Sequence, residues 1–469
     1  MTGTPATQPA TFRVRADVDA YLERLTRFGI KLGLDTISSL LAKLGNPQRN
    51  YPSIHIAGTN GKGSTAAFLD ALLLGFGQRT GRYTSPHLED FRERICVAGE
   101  PISDADLLRV AERVARVVPM FPEAPPPTFF EVTTAMAMDH FAHLPTGGTT
   151  VLAGKPVGGP AGGPENPVDV AVVETGLGGR LDATNVLVPR VCIVTGVSLE
   201  HTEHLGRDLA SIAEEKAGIL KPGIPVVTAA SGVALEVIRR RAAQVDAPLY
   251  VHGADFGLMG DGDSLHWRGL RTNYTGLTLG LAGAHQRTNA ALALAALELY
   301  LPAGVAMAEG AVRRALRHTH WPGRLEMIGD APPLLLDAAH NPEAAHALAA
   351  FLASWQGDRP LWLVLGVLAD KDFESLLAPL AEHISHLVLT APDTPRRGDL
   401  QAQAEVARPL CPDVMAVPQV GDAVSRAVAA AREAGGRVCV TGSIYTLGEA
   451  RAALRRAGML PPSVSPCVP

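Results

Sequence analysis

Twelve consecutive residues constrain this chain more than any other stretch: Ile54-His55-Ile56-Ala57-Gly58-Thr59-Asn60-Gly61-Lys62-Gly63-Ser64-Thr65. A short β-branched run enters a glycine-rich turn with one lysine and a hydroxyl, and Ala66-Ala67-Phe68-Leu69-Asp70-Ala71-Leu72-Leu73 continues with helical composition. Strand, pliable loop and helix N-terminus together hold polyphosphates. Glycines let backbone N–H groups converge on oxygens, the helix dipole favours negative charge, and a lysine neutralises the β/γ end. The spacing is Gly58-x-x-Gly61-Lys62-Gly63-Ser64 rather than the common Gly-x4-Gly-Lys-Ser/Thr. An ordinary strand-to-helix turn seldom combines these four features, so nucleotide binding is the expectation.

The rest of the composition narrows the class. A chain of 469 residues exceeds what one hydrophobic core usually serves, which predicts two domains or one elaborated one. With 46% apolar and 19% charged residues it reads as a globular enzyme. A net charge of −5 without a basic cluster gives no footprint for nucleic acid, and Arg239-Arg240-Arg241 reads as a solvated helical face. The five cysteines show no CxxC pair or zinc spacing, and Cys192 and Cys439 fall in strand-like runs. This predicts a reducing compartment without disulfides. Residues 1–12 are Thr/Ala/Pro-rich, unlike a secretory signal, and no apolar run reaches membrane-spanning length. Cytoplasmic location without membrane association follows as an expectation.

Alternating strands and helices predict an α/β protein. Val168-Asp169-Val170-Ala171-Val172-Val173 reads as a buried strand ending at Glu174, and Arg190-Val191-Cys192-Ile193-Val194-Thr195 as another ending before Glu200-His201. Such near-continuous apolar strands belong to parallel sheets covered on both faces, with ligands at the carboxyl ends. Residues 13–320 are assigned to a P-loop-type, parallel-sheet ATP-binding domain. Its Gly/Pro-rich stretch 145–167 is expected to be a flexible surface insertion without regular structure. Short apolar strands at 334–336, 361–365, 386–389 and 437–440 predict a second, smaller Rossmann-like α/β domain over 321–460. The segments 1–12 and 461–469 are expected to be disordered.

Several side chains stand where chemistry is expected. Glu174 ends a strand and enters a Gly/Asp/Asn-rich loop, where a carboxylate can hold Mg²⁺ beside phosphates or simply cap an exposed edge. Lys216 occupies a helical stripe with positions 209, 212, 213, 219 and 220, all otherwise apolar. It is either a lysine snorkelling from the edge or a neutral amine open to carbamylation. His201 is a metal ligand or a polar loop residue; no further Cys or His at ligand spacing supports zinc. In the second half Arg324, and Asp337 followed by His340 and a helix-starting proline, mark another ligand-facing strand end.

Taken together, these segments resemble folylpolyglutamate synthase/dihydrofolate synthase, a member of the Mur ligase superfamily. The resemblance covers 21–453 and includes Tyr83-Thr84-Ser85-Pro86-His87-Leu88, Glu215-Lys216-Ala217-Gly218, His285-Gln286-x-x-Asn289-Ala290, Trp321-Pro322-Gly323-Arg324 and Asp337-Ala338-Ala339-His340-Asn341-Pro342. It implies an ATP-dependent amide ligase that phosphorylates a substrate carboxylate and lets L-glutamate attack the acyl phosphate. It also implies ATP binding by Gly58, Thr59, Asn60, Gly61, Lys62, Gly63, Ser64, Asn289, Arg324, Asp337 and His340. Mg²⁺ ligation falls to Ser85, Glu174, His201 and a carbamylated Lys216, with Lys62, Lys216 and His201 catalytic. The pterin substrate falls to Leu32, Gly33, Thr128, Phe129, Phe130, Glu131, Leu181, Asp182 and Ala183. A monomer acting on small molecules is expected, with both the dihydrofolate-forming and the tail-extending reactions. Glu200 before His201 departs from the aspartate common in the family. A peptidoglycan-precursor ligase is disfavoured by the roughly fifty residues ahead of the loop. A generic kinase is disfavoured by the loop spacing, and a non-catalytic nucleotide module by the joint presence of Lys62, Glu174, His201 and Lys216.

Overall fold

The computed structural model describes residues 12–461 apart from 30, 119–125, 145–149, 153–154, 158–166, 263, 306, 356, 358 and 412. The predicted disorder of 1–12 and 461–469 falls almost wholly outside that set, as does most of the 145–167 insertion. One correction is clear within it. Thr150–Leu152 and Lys155–Val157 form a two-stranded antiparallel ladder, so regular structure does occur in the insertion. Its β-branched Thr-Val run pairs before the densest glycines begin.

The first sheet has eight strands. Leu249–Val251, Val226–Thr228, Val191–Val194, Ser53–Ala57, Val170–Glu174 and Thr80–Tyr83 lie parallel in that spatial order, and Ile95–Val97 and Glu100–Pro101 finish one edge antiparallel. Every residue of Ser53–Ala57 and Val170–Glu174 is buried, as expected where helices cover both faces. One covering layer contains Lys62–Gly75, His285–Tyr300 and Glu309–His318; the other contains Arg15–Thr26, Asp35–Lys43, Asp104–Val117 and Phe129–Ala142. This order sets Ser53–Ala57 between the strands that end at Glu174 and Val194. Three loops distant in sequence thus emerge side by side.

A small antiparallel sheet, Gly257–Met259, Leu265–Arg268 and Asn273–Leu277, is an element the periodicity did not reveal. Buried Glu298 organises it, accepting N–H bonds from Leu270 (2.7 Å), Arg271 (2.9 Å) and Thr272 (3.1 Å).

The second sheet runs Glu326–Asp330, Pro333–Leu336, Arg437–Thr441, Leu361–Leu365, His386–Leu389, Val414–Ala416; only its first pair is antiparallel. Separate apolar clusters fill its two faces. Helix Glu309–His318 is the last element packed on the first sheet, and the chain reaches the second sheet at Glu326. Cys192 and Cys439 are fully buried in their strands. No helix among the described residues is long and apolar enough to cross a membrane.

Candidate active site

The phosphate loop begins where Ser53–Ala57 ends. Gly58 (φ +147°) and Gly61 (φ +87°) occupy backbone regions that L side chains avoid; a Cβ at these positions would collide with Thr195 Oγ1 and Asn289 Oδ1 respectively. Thr195 Oγ1 donates to Asn60 O (2.7 Å), and Thr59 N donates to Gly196 O (2.8 Å). The neighbouring strand end therefore fixes the loop. Helix Lys62–Gly75 starts within the motif itself, four residues earlier than the apolar run suggested.

Lys62 Nζ donates to Gly58 O (3.1 Å) and Thr59 O (3.0 Å) and lies 3.9 Å from Glu174 Oε1. Glu174 is 5% exposed and accepts the Ser85 N–H at 3.3 Å. Burial pushes its carboxyl pKa up, against the pull of Lys62. Lys216, near the end of helix Leu209–Ala217, is 3% exposed and donates to Gly58 O at 2.7 Å. It does not snorkel. Burial, reinforced by Lys62 and opposed by Glu200, draws its pKa down to about 7. The predicted stripe extends past the helix end: Ile219 and Leu220 are buried in the following turn, while Leu209 is 38% exposed.

His201 adopts a left-handed backbone (φ +50°) and faces Glu200 at 3.5 Å; burial lowers its pKa to about 4 despite that carboxylate. Glu200 reaches across to the second half, 3.3 Å from His340 Nε2, while His340 Nδ1 donates to Ala338 O (2.8 Å). Burial alone would raise the Glu200 pKa, but the His340 hydrogen bond and the Lys62 charge pull it below the usual carboxylate range. The phosphate loop makes a second crossing. Asn60 donates to Glu343 Oε2 (2.6 Å) and accepts from Asn341 Nδ2 (3.0 Å), and Asn341 caps helix Pro342–Ser354.

Both ligand-facing edges thus share one cleft of about 570 Å³. Its walls carry 58–64, Ser85, Glu174, His201, Lys216 and Asn289 from the first half and Arg324, Asp337 and His340 from the second. Asn289 donates to Gln286 Oε1 (2.9 Å). Asp337 accepts from the Leu325 and Ala339 backbone, its pKa raised by burial against Arg324. Two cations absent from the sequence-based set also line the cleft: Lys371, and Arg396, which pairs with Asp370 at 2.6 Å. Lone basic residues in a short loop carry no periodic signal, so only folding exposes them. Among the described residues no three His, Cys, Asp or Glu side chains converge into a metal cluster.

The segments expected to hold the pterin gather beside this cleft instead of lining it. Gly33 N donates to Leu181 O (3.3 Å), which places Leu32-Gly33 against Leu181-Asp182-Ala183. The Phe130 ring lies against Gly176. Thr128 and Glu131 form a buried capping box on helix Phe129–Ala142. Buried Asp182 accepts from Leu177 N (2.8 Å) and Thr184 N (3.0 Å). Both carboxylates therefore shape the backbone, whereas Leu32, Phe129 and Phe130 keep accessible apolar surface.

Known proteins show the same organisation. Residues 323–444 match the family described as Mur ligase, glutamate ligase domain. A dihydrofolate synthase/folylpolyglutamate synthase of Mycobacterium tuberculosis is 38% identical over 89% of each chain. The Mycobacterium tuberculosis folylpolyglutamate synthase solved with ADP and AMPPCP is 36% identical, with a TM-score of 0.83 over 93% of this chain and 97% of that one. A bifunctional folylpolyglutamate synthase/dihydrofolate synthase solved with Mn, AMPPNP and L-glutamate is 29% identical, with a TM-score of 0.79 over 96% and 100%. Similarity of this extent, along nearly the whole chain, shows that it belongs to the dihydrofolate synthase/folylpolyglutamate synthase family of Mur-type ligases.

Proposed function

We propose that this protein joins L-glutamate to dihydropteroate and to the γ-carboxylate of folates, with ATP as co-substrate. The observation that carries the reading is one cleft holding a phosphate loop and buried Glu174 on one wall and the cations of Lys371 and Arg396 on the other. On this reading 13–320 binds ATP and 321–460 receives glutamate. The γ-phosphoryl group passes from ATP to the substrate carboxylate oxygen, releasing ADP. The glutamate amine then attacks the acyl carbon, the C–O bond to phosphate breaks, and the amine loses a proton to give the amide.

Lys62 and the loop N–H groups screen the triphosphate, while Asn289, Arg324, Asp337 and His340 complete the nucleotide site. Lys371 and Arg396 offer charge to the glutamate carboxylates. Ser85, Glu174, His201 and Lys216, the last carbamylated, would hold Mg²⁺, which neutralises charge on the transferring phosphoryl group. The oxygen donors Glu174 and Ser85, which line one cleft with His201 and Lys216, fit a hard cation that keeps water and phosphate oxygens in its shell; such a cation needs no three-acid cluster. The pterin rests on Leu32, Gly33, Phe129, Phe130 and the 181–183 turn. We read the protein as a cytoplasmic monomer without nucleic-acid or membrane partners.

The test is ADP release by purified protein with ATP, Mg²⁺ and L-glutamate, supplying dihydropteroate or tetrahydrofolate in parallel. Release with both, with glutamylated products, is expected. Release with tetrahydrofolate alone would restrict the enzyme to tail extension, and silence with both would reject the reading.

A further inference from the structure

A second cavity, of about 310 Å³, adjoins the nucleotide cleft. It shares Gly63, Ser85, Glu174 and Arg324 with the nucleotide cleft, so the two voids meet beside the phosphate loop, where the folate-ligase reading puts carboxylate activation. Five arginines border it: Arg82, Arg92, Arg324, Arg451 and Arg455. Their commitments differ. Arg82 is fully buried against Asp70 (2.9 Å). Arg451 and Arg455 both hold Glu89, at 2.8 and 2.9 Å, and Arg451 also holds Glu326. Arg324 has no carboxylate within ion-pair distance among the described residues; its Nη1 reaches only Gly323 O (3.3 Å). Arg92 stands at the mouth, 33% exposed, with Asp90 at 2.9 Å and Asp104 at 3.3 Å.

The turn Phe91–Arg94 has two sides. Arg92 and Glu93 face the cavity, while the Phe91 ring meets Phe129 edge-on with centroids 6.3 Å apart. The cavity and the segment assigned to the pterin are therefore separated by one short turn. Tail extension imposes a geometric demand here. The reacting γ-carboxylate always occupies the same point, while the number of glutamyl residues behind it grows by one each cycle. Each of those residues carries a free α-carboxylate. Room for a lengthening anionic chain must adjoin the activation point, and the nucleotide cleft is taken up by ATP and the incoming amino acid.

We propose that this arginine-bordered cavity is a tail subsite: it receives the α-carboxylate-bearing glutamyl residues that precede the reacting end, with Arg324, shared with the nucleotide site, at its inner end and Arg92 at its mouth. The inference rests on the folate-ligase reading, and its readouts are chosen to fail separately from it.

The first test compares kcat/KM for triglutamyl and monoglutamyl tetrahydrofolate in wild type, Arg92→Ala and Arg92→Glu. The ratio should fall about tenfold in Arg92→Ala, the scale of one lost charge-assisted contact, and further in Arg92→Glu. An equal loss at both tail lengths would mean that Arg92 only shapes its turn, and would overturn the proposal; so would an unchanged ratio. A change confined to the KM of free L-glutamate would hand the cavity to the amino acid, and would also overturn it. The second test needs no turnover. Trp321 lines this cavity, whereas Trp267, Trp355 and Trp362 are buried elsewhere. A γ-linked triglutamate peptide should shift tryptophan emission saturably in wild type, about tenfold more weakly in Arg92→Ala, and not at all in Trp321→Phe. Absence of a saturable shift in folded wild type would overturn the subsite even if the ligase reading stands. An Arg92-dependent shift would uphold it even if that reading fails.

Discussion

The two parallel sheets contribute to the cleft in different ways. The first supplies groups that are buried and already locked: Glu174 at 5% exposure, Lys216 at 3%, and a loop pinned to Thr195 and Gly196. The second supplies, besides buried Asp337, groups on half-buried loop positions such as Lys371 and His340. Polyphosphate has one shape and a high charge density, so a rigid backbone cradle suits it. An amino acid that must arrive after acyl phosphate formation suits side chains that can still adjust. Polar contacts between the two halves run from Asn60 to Asn341 and Glu343, from Glu200 to His340, and from Glu89 to Arg451 and Arg455.

That contrast can be broken at its rigid end first. Lys216→Ala should reduce ADP release about 100-fold or more, the scale of removing a group that organises developing charge. Added short carboxylates should restore part of the rate by standing in for the carbamate; failure of both outcomes would remove the lysine from the metal-binding account. The amine's own titration sharpens the point. With its pKa lowered to about 7, Lys216 is largely neutral above that value, whereas an ordinary lysine stays charged to about 10. Enzyme stripped of CO₂ should therefore recover about tenfold faster at pH 8 than at pH 6 at equal dissolved CO₂, since only the neutral amine adds to carbon. A flat profile would show that the buried amine is not the group being modified.

On the adjustable side, Lys371→Ala should raise the KM for L-glutamate about tenfold while the affinity for an ATP analogue stays within a factor of about two. Equal damage to both constants would place Lys371 in the nucleotide site and blur the contrast. The smallest effect should come from the seam. Glu343→Ala removes one acceptor from Asn60 and should raise the KM for ATP about threefold with little change in melting temperature.

Much of this was legible in the chain. Ser53–Ala57, Val170–Glu174 and Leu361–Leu365 announce themselves because strands buried on both faces are mostly apolar, with Ser53, His55 and the strand-end Glu174 as the polar exceptions. The small antiparallel sheet over 257–277 does not, because its strands are short, glycine-interrupted and only half-buried. Lys216 shows both limits. An ammonium on an apolar stripe is a visible anomaly, yet two explanations fit the pattern equally. Its 2.7 Å bond to the Gly58 carbonyl, 158 positions away, separates them.

By itself the sequence determined the phosphate loop, the alternation of strands and helices, and the candidate residues at strand ends, since each depends on local stereochemistry and periodic burial. Only the tertiary structure decided that Glu174, Lys216, Asn289 and Asp337 face one cleft, that Lys371 joins them, and that an arginine-bordered cavity adjoins it. Those facts follow from strand order and from how the two sheets dock. Both depend on contacts between residues far apart in the chain, which no local pattern records.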